Sequence, residues 1–263
     1  MILTRDNYYS READELFVSV SQFKSYMDCE ARTFAQIRGE YVRPESQALI
    51  VGSYTHAAFD SVEEFEKFNE ENAKVIYNTK GKKYAPFEQA DKMIQTLRND
   101  ELAMFALTGD KEVIMTGELF GAKWKIRVDN LNLEKGYFSD LKTTKSLYER
   151  YWSKKYGNKY VSFAHNYGYI IQMAVYREII RQNTGLILEP YIVAVTKEIV
   201  PDKAIIGFDN QGLEFELEYV KNAMPLFIEA KEGKREHQRC GKCEYCRMTK
   251  KLSSVVNINN LLK

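Results

Sequence analysis

Three features of the sequence predict an α/β (or α+β) fold with a central mixed sheet flanked by helices. Apolar residues recur at helical spacing through most of residues 19–108. The period then switches to strict alternation over residues 112–143. After that the pattern runs helix, strand, strand, helix, the order that builds layered α/β domains. With 263 residues and 44% hydrophobic content, the chain can bury a sizeable core, and residues 1–263 are read as one domain.

The elements follow in order. "SVSQFKSYMDCEARTFAQIRG", residues 19–39, reads as one helix, with Ser21 as its N-cap and Gly39 as its stop. "ESQALIVGSYTHAAFDSVEEFEKF", residues 45–68, reads as a second, apolar early and acidic late. Residues 68–86 read as a loop with a basic cluster at Lys80, Lys82 and Lys83, and residues 87–108 return to helical spacing. A meander follows over 112–119, 122–129 and 136–143, broken at Gly121 and again between Asn132 and Gly136. "VSFAHNYGYIIQMAVYREIIRQNTG" is a long helix capped near Ser162 and stopped at Gly185. "LEPYIVAVTKE" and "KAIIGF" are strands, and "LEFELEYVKNAMPLFIEAKEG" is a helix.

Charged residues make up 29% of the chain and nearly balance at net +1, so anion binding must come from local clusters. The N-terminal "MILTRDNYYSREADELF" is polar almost at once and lacks the apolar stretch of a signal peptide. No apolar run approaches the roughly 18 residues of a membrane span. A cytoplasmic protein is expected, in which four cysteines bind metal or stay free rather than form disulfides.

The stretch "GYFSDLKTTKS" places charge inside a strand. Residues two apart share a strand face, so Asp140 and Lys142 point together and Leu141 points to the other side. Asp129 ends the preceding strand, and the turn between Asn132 and Lys135 brings it beside Asp140. Two close carboxylates repel unless a positive charge lies between them, and Mg²⁺ or Mn²⁺ suits such oxygens. A neighbouring lysine then orients a water and offsets charge on a phosphate. The simpler alternative is an exposed Asp–Lys cross-strand pair.

Other residues stand around this motif in a fixed order. Gly52 and His56 lie in "GSYTHAAFD", Asp129 in "RVDNL", Asp140, Lys142 and Thr143 in "SDLKTT", and Gln172 with Tyr176 in "IIQMAVYREI". This order, spread over about residues 19–247, resembles the PD-(D/E)xK nuclease superfamily and its RecB-like and RecE-like branch. The resemblance implies a restriction-endonuclease-like core. It implies that Asp129 and Asp140 hold a metal with the Leu141 backbone carbonyl, that Lys142 positions the attacking water, and that His56 lies at the metal. Gln172 and Tyr176 share a helix face that the resemblance aims at the active site. Glu118 in "TGELF" is a further candidate ligand, against an ordinary strand-end acid. His165 is a candidate phosphate contact, against a capping or surface role. Thr143, Thr144 and Lys145 are candidate DNA contacts.

Cys240, Cys243 and Cys246 form C-x₂-C-x₂-C, three thiolates on a tight loop. A fourth ligand comes from His237 or from Cys29. The helix around Cys29 resembles that of AddB-type nucleases, in which one N-terminal cysteine joins a C-terminal set around a [4Fe–4S] cluster. CRISPR adaptation nucleases of that branch share the arrangement. On this resemblance residues 19–39 and 236–251 are the cluster-binding segments. The last gap departs from the usual spacing, which keeps Zn²⁺ as the alternative.

The resemblance thus implies a Mg²⁺-dependent deoxyribonuclease acting on linear double-stranded DNA ends, 5′ to 3′, beside a phage single-strand annealing protein. Both a monomer and a ring oligomer fit. The rival readings are a single-strand or flap nuclease of the adaptation type, and a non-catalytic, metal-stapled nucleic-acid-binding module.

Overall fold

The computed structural model describes residues 1–44 and 46–260. Eight helices precede the sheet: α1 (Arg11–Leu16), α2 (Val20–Asp28), α3 (Glu30–Ile37), α4 (Gln47–Asp60), α5 (Val62–Glu71), α6 (Ala73–Ile76), α7 (Ala85–Arg98) and α8 (Glu101–Ala106). Then come β1 (Asp110–Leu119), β2 (Ala122–Asn132), β3 (Tyr137–Thr144), a hairpin of β4 (Tyr151–Ser153) and β5 (Lys159–Val161), α9 (Phe163–Asn166), α10 (Tyr169–Thr184), β6 (Glu189–Thr196), β7 (Lys203–Ile206), α11 (Asn210–Lys231) and α12 (Glu244–Met248). The meander appears where alternation predicts it.

The main sheet has the order β1-β2-β3-β6-β7. The β3–β6 pair is parallel and the other three are antiparallel, so the sheet is mixed. Parallel neighbours need a long crossover, and the segment containing α10 supplies it. Burial on both faces explains why the centre of β6, Tyr191–Val195, reads as a continuous apolar run. One core lies where α2, α10 and α11 meet the sheet, around Phe23, Trp124, Phe138, Met173 and Phe227. The other lies under α4, α7 and α8, around Tyr54, Phe87, Leu97, Leu141 and Val193. Strand β3 contributes Phe138 to the first core and Leu141 to the second, so it crosses the centre of the molecule.

Several boundaries differ from the sequence expectation. The helix expected over 19–39 is two helices, because Cys29 is extended (φ −165°, ψ 104°). The cap is Ser19 rather than Ser21: Ser19 accepts from the Gln22 N–H and Gln22 returns a bond to the Ser19 N–H. Residues 47–68 divide at Ser61, which caps α5 through the Glu64 N–H; Glu45, the start of that expected helix, lies outside the described residues. The expected loop at 68–86 is helical to Glu71 and again over α6 before turning at residues 78–82. The helix expected from 161 divides at Gly168, whose left-handed φ of 64° starts α10 anew. The β4–β5 hairpin and the short α12 were not anticipated, since three-residue strands and one-turn helices carry almost no periodicity.

The two ends of the chain meet. Arg235 donates two hydrogen bonds to the Glu30 carboxylate at 2.8 and 2.9 Å, and the Gln238 N–H donates to the same carboxylate at 2.9 Å. The Ala31 N–H donates to the Gln238 carbonyl at 3.1 Å. Among the described residues no helix is long and apolar enough to cross a membrane.

Candidate active site and cysteine cluster

The β2–β3 ladder is three residue pairs long and ends at Asn130↔Ser139. The next residues along the two strands are Asp129 and Asp140, at the point where the strands separate and a cleft of about 1040 Å³ opens. Asp129, Asp140, Lys142, His56, Gln172 and Tyr176 all line that cleft, so the sequence-predicted set is brought together.

Each carboxylate has its own supports. His56 Nδ1, from α4, lies 3.2 Å from Asp129 Oδ2, which also accepts the Leu141 N–H at 3.0 Å. Gln172 Nε2, from α10, donates to Asp140 Oδ1 at 2.5 Å, and Lys142 Nζ is in ionic contact with Asp140 Oδ2. Lys142 also lies over the Tyr169 ring, 5.0 Å from its centroid. The Asp140 side chain is almost wholly buried, and its Oδ2 has no hydrogen bond of good geometry among the described residues.

The electrostatics follow from burial and proximity. At Asp129, burial opposes ionisation, but His56, Lys142 and the Leu141 N–H overcome it and hold the carboxyl at about 2. At Asp140, burial and the Asp129 charge push the pKa up against the pull of Lys142. Lys142 itself is raised: burial disfavours its charge, and the two aspartates outweigh that. His56 is raised as well, because Asp129 outweighs the cost of burying the imidazolium.

The cleft adds groups that the sequence reading missed. Glu112 of β1 falls between the pairs Lys111↔Asn130 and Val113↔Val128, which places it opposite Asp129. It has a left-handed φ of 54°, and burial, then Asp129, pushes its pKa up to about 7. Arg127 Nε lies 2.6 Å from its Oε2. Counting back from the Phe120-Gly121 turn in a two-stranded ladder would have found Glu112. Lys24 of α2 donates to the Tyr167 carbonyl at 3.0 Å, and burial, then Lys142, lowers its pKa to about 8. Tyr8 and Tyr9 enter the cleft because Lys125, buried, bonds the Tyr8 carbonyl at 2.5 Å and Asp14 at 2.7 Å. No periodicity marks such an N-terminal strap.

Thr143, Thr144 and Lys145 line the cleft as expected, with Lys145 also paired to Glu149 at 3.0 Å. Glu118 and His165 do not join them. The Glu118 backbone is held by Gln182, at the hairpin end of β1. His165 bonds Ser162 at 2.9 Å and meets Tyr156 edge-on at 5.0 Å, because the break at Gly168 takes it off the α10 face.

These donors fit a hard divalent cation. Asp129, Asp140 and Glu112 offer carboxylate oxygens, two of them with raised pKa values that a cation would bring down, and the Asp140 Oδ2 is buried without a hydrogen bond.

The second site is remote in sequence. The Sγ atoms of Cys29, Cys240, Cys243 and Cys246 all lie within 4.8 Å of one another. Cys29 Sγ is 3.5 Å from Cys246 Sγ and 3.8 Å from Cys243 Sγ, and Cys240 Sγ is 3.9 Å from Cys246 Sγ. The extended conformation at Cys29 leaves the α2–α3 junction facing the C-terminal loop. N–H groups of that loop hold the Cys240 thiol down at about 6, so a thiolate forms readily. His237 is not in the set; its Nε2 meets the Ala230 carbonyl at 2.9 Å and its ring stacks on Phe34. The fourth side chain brought to the set is therefore Cys29.

Residues 19–249 match the family model described as a PDDEXK-like domain of unknown function. The crystal structure of the Eubacterium rectale protein named "Putative exonuclease" superposes with a TM-score of 0.93 at 38% identity, covering 99% of this chain and 98% of that one. No curated protein matches the sequence significantly.

In metal-free protein the stability contributed by the His56–Asp129 pair is present in full below the ordinary histidine pKa of about 6.5. It is lost as pH rises through the raised folded value, because the charged imidazole is the form that Asp129 stabilises. With only three histidines in the chain, a proton NMR titration in EDTA reads this directly. His56 should titrate above the ordinary value, and Asp129→Asn should bring it below, since burial and the Lys142 charge then outweigh Asp140. An unchanged midpoint in Asp129→Asn would show that the pair does not set the charge of His56.

Proposed function

The chain belongs to the PDDEXK-like family, and from that premise we propose that it is a Mg²⁺- or Mn²⁺-dependent DNA exonuclease acting on linear double-stranded ends. The observation that carries this reading is the junction of β2 and β3. There Asp129 and Asp140 stand at the splay of two strands, with Lys142 against one carboxylate and Gln172 fixing it. A surface ion pair has no need of a glutamine from a crossover helix, or of near-complete burial.

Asp129, Asp140 and Glu112, with the Leu141 carbonyl, would hold the cation. Bound there, a divalent ion supplies Lewis acidity toward a phosphodiester oxygen and a nucleophile at neutral pH. His56 and the Leu141 N–H fix the Asp129 carboxylate, and Gln172 fixes Asp140. Lys142, charged and held over Tyr169, orients the attacking water and offsets the charge that develops on the phosphate. Hydrolysis by in-line attack with loss of the 3′ oxygen leaves a 5′ phosphate. Lys24, Arg127 and Lys145 receive neighbouring phosphates, and Tyr176 packs beside the reacting strand. A 5′-to-3′ direction, and delivery of the 3′ tail to a phage single-strand annealing protein, complete the proposal.

For the cysteines, the sulfur spacing favours zinc over the iron–sulfur cluster that the AddB-type resemblance implies. A tetrahedral Zn²⁺ with Zn–S bonds of about 2.3 Å sets its sulfurs about 3.8 Å apart. Three of the six sulfur pairs, at 3.5, 3.8 and 3.9 Å, lie near that edge, and the rest stay within 4.8 Å. A cubane, in which each thiolate binds a different iron, spreads its sulfurs farther. In either form the site staples segments 19–39 and 236–251 of a single nuclease domain.

Two experiments test this reading. A linear duplex labelled at one 5′ end, and the same DNA as a closed circle, meet the protein with Mg²⁺. The linear form should be degraded and the circle spared, with Asp140→Asn slower by at least about a thousandfold, roughly 4 kcal/mol. A cut circle would remove end-directedness; inert DNA under both metals would favour the non-catalytic binding module.

Anaerobically purified protein should be colourless with one zinc per chain. A brown protein absorbing near about 400 nm would restore iron. Cys29→Ser should lower Tm by about 5 °C or more while sparing most of the cleavage rate per folded molecule.

A further inference from the structure

The geometry points to the β4–β5 hairpin as a binding surface for unpaired nucleotides of single-stranded DNA, an inference that rests on the nucleic-acid reading above. Residues 145–160, "KSLYERYWSKKYGNKY", join the strand of Lys142 to the helix of Gln172. Lys145, Arg150, Lys154, Lys155 and Lys159 stand against Glu149, a net +4 in a chain whose total is +1. Five of these sixteen residues are aromatic, and only Leu147 and Tyr151 of the segment pack against the first core.

The hairpin is anchored rather than loose. Glu216 of α11, 1% exposed, takes Lys155 and the Tyr156 hydroxyl, and Lys155 sits 3.9 Å from the Tyr219 ring centroid. Tyr151 bonds Glu149 at 2.9 Å and Tyr167 at 3.3 Å. With those residues committed, Trp152 and Tyr160 are left outside, 57% and 63% exposed. They are register partners across β4 and β5, with ring centroids 5.2 Å apart.

From the other face of β4, where Tyr151 lies beside Trp152 in sequence, a line of aromatic rings runs to the chemistry. Tyr151 meets Tyr167 at 5.5 Å, Tyr167 meets Tyr169 at 5.9 Å, and Tyr169 underlies Lys142. Exposed rings amid lysines match a flexible polyanion whose bases are free to stack. In a duplex the bases already stack on one another, so the aromatic platform selects the unpaired strand. It would hold the strand that leaves, or enters, the site after the end is opened.

Two tryptophans make the test direct, because Trp124 is fully buried and emission changes therefore report Trp152. In EDTA, a twelve-nucleotide oligothymidylate should quench the emission, and a blunt duplex of that length should not. Trp152→Ala should weaken binding of a fluorescein-labelled oligothymidylate, read by anisotropy, about tenfold, and Tyr160→Ala similarly, with circular dichroism unchanged. Wild-type emission unmoved by the oligonucleotide, or binding by both variants as tight as wild type, overturns the proposal; so does equal quenching by the duplex. Cleavage of linear DNA without quenching removes the hairpin's role and leaves the nuclease reading intact. Quenching without cleavage supports the hairpin and removes the nuclease reading.

Discussion

The mutual repulsion of Asp129 and Asp140 is the constraint on which the rest of the site depends. Residues facing each other across adjacent strands lie about 5 Å apart. Two carboxylates at that separation oppose each other by about 3 kcal/mol at an effective dielectric of 20. Burial adds to the cost, and Asp140 is 2% exposed. Glu112 adds to the repulsion, and the other neighbours offset it. His56 serves Asp129, Lys142 and Gln172 serve Asp140, and Arg127 stands by Glu112. The result is a negative site held together by basic side chains of α4, β2 and β3 and an amide of α10. A cation entering it takes over part of a role that Lys142 and His56 already fill.

The two cores exist on either side of this strand, and they explain why the charges stay in register. Phe138 and Leu141 bind β3 to opposite layers, so Asp140 and Lys142 cannot slip along the strand without pulling an apolar residue from a core. The parallel neighbour β6 fixes the other edge of β3 over its whole length, from Tyr137↔Glu189 to Thr144↔Thr196. Antiparallel β2 lets go after three pairs, and that early release makes the cleft. Away from the cleft, the four cysteines come together where the start of α3 meets the C-terminal loop, with Glu30 and Arg235 alongside.

Much of this was legible in the sequence because the chemistry sits on periodic elements. Asp140 and Lys142 are two apart on a strand, Gln172 and Tyr176 four apart on a helix, and both spacings have one structural meaning. The meander could be drawn from alternation alone. What was not legible lies where local conformation breaks the period. The extended Cys29 and left-handed Gly168 each split a helix whose apolar pattern continues across the break, and the second break took His165 away from the site. Glu118 was expected to point into the site from the strand before Asp129. The ladder register, fixed by the turn at Gly121, puts Glu112 opposite Asp129 instead. Tyr8 and Tyr9 reach the cleft through a buried Lys125 bond to backbone, which no side-chain pattern announces.

The account stands on the carboxylate site being built for a cation, and a calorimetric titration of Mn²⁺ into the protein tests that most directly. Wild type should bind with heat and with release of protons near neutral pH, because Glu112 begins with its pKa pushed up to about 7. Asp140→Asn should bind at least about tenfold more weakly, a loss of about 1.4 kcal/mol. No binding by the wild type, or equal binding by Asp140→Asn, would mean that the buried aspartates are a structural ion-pair network and would contradict the account at its centre.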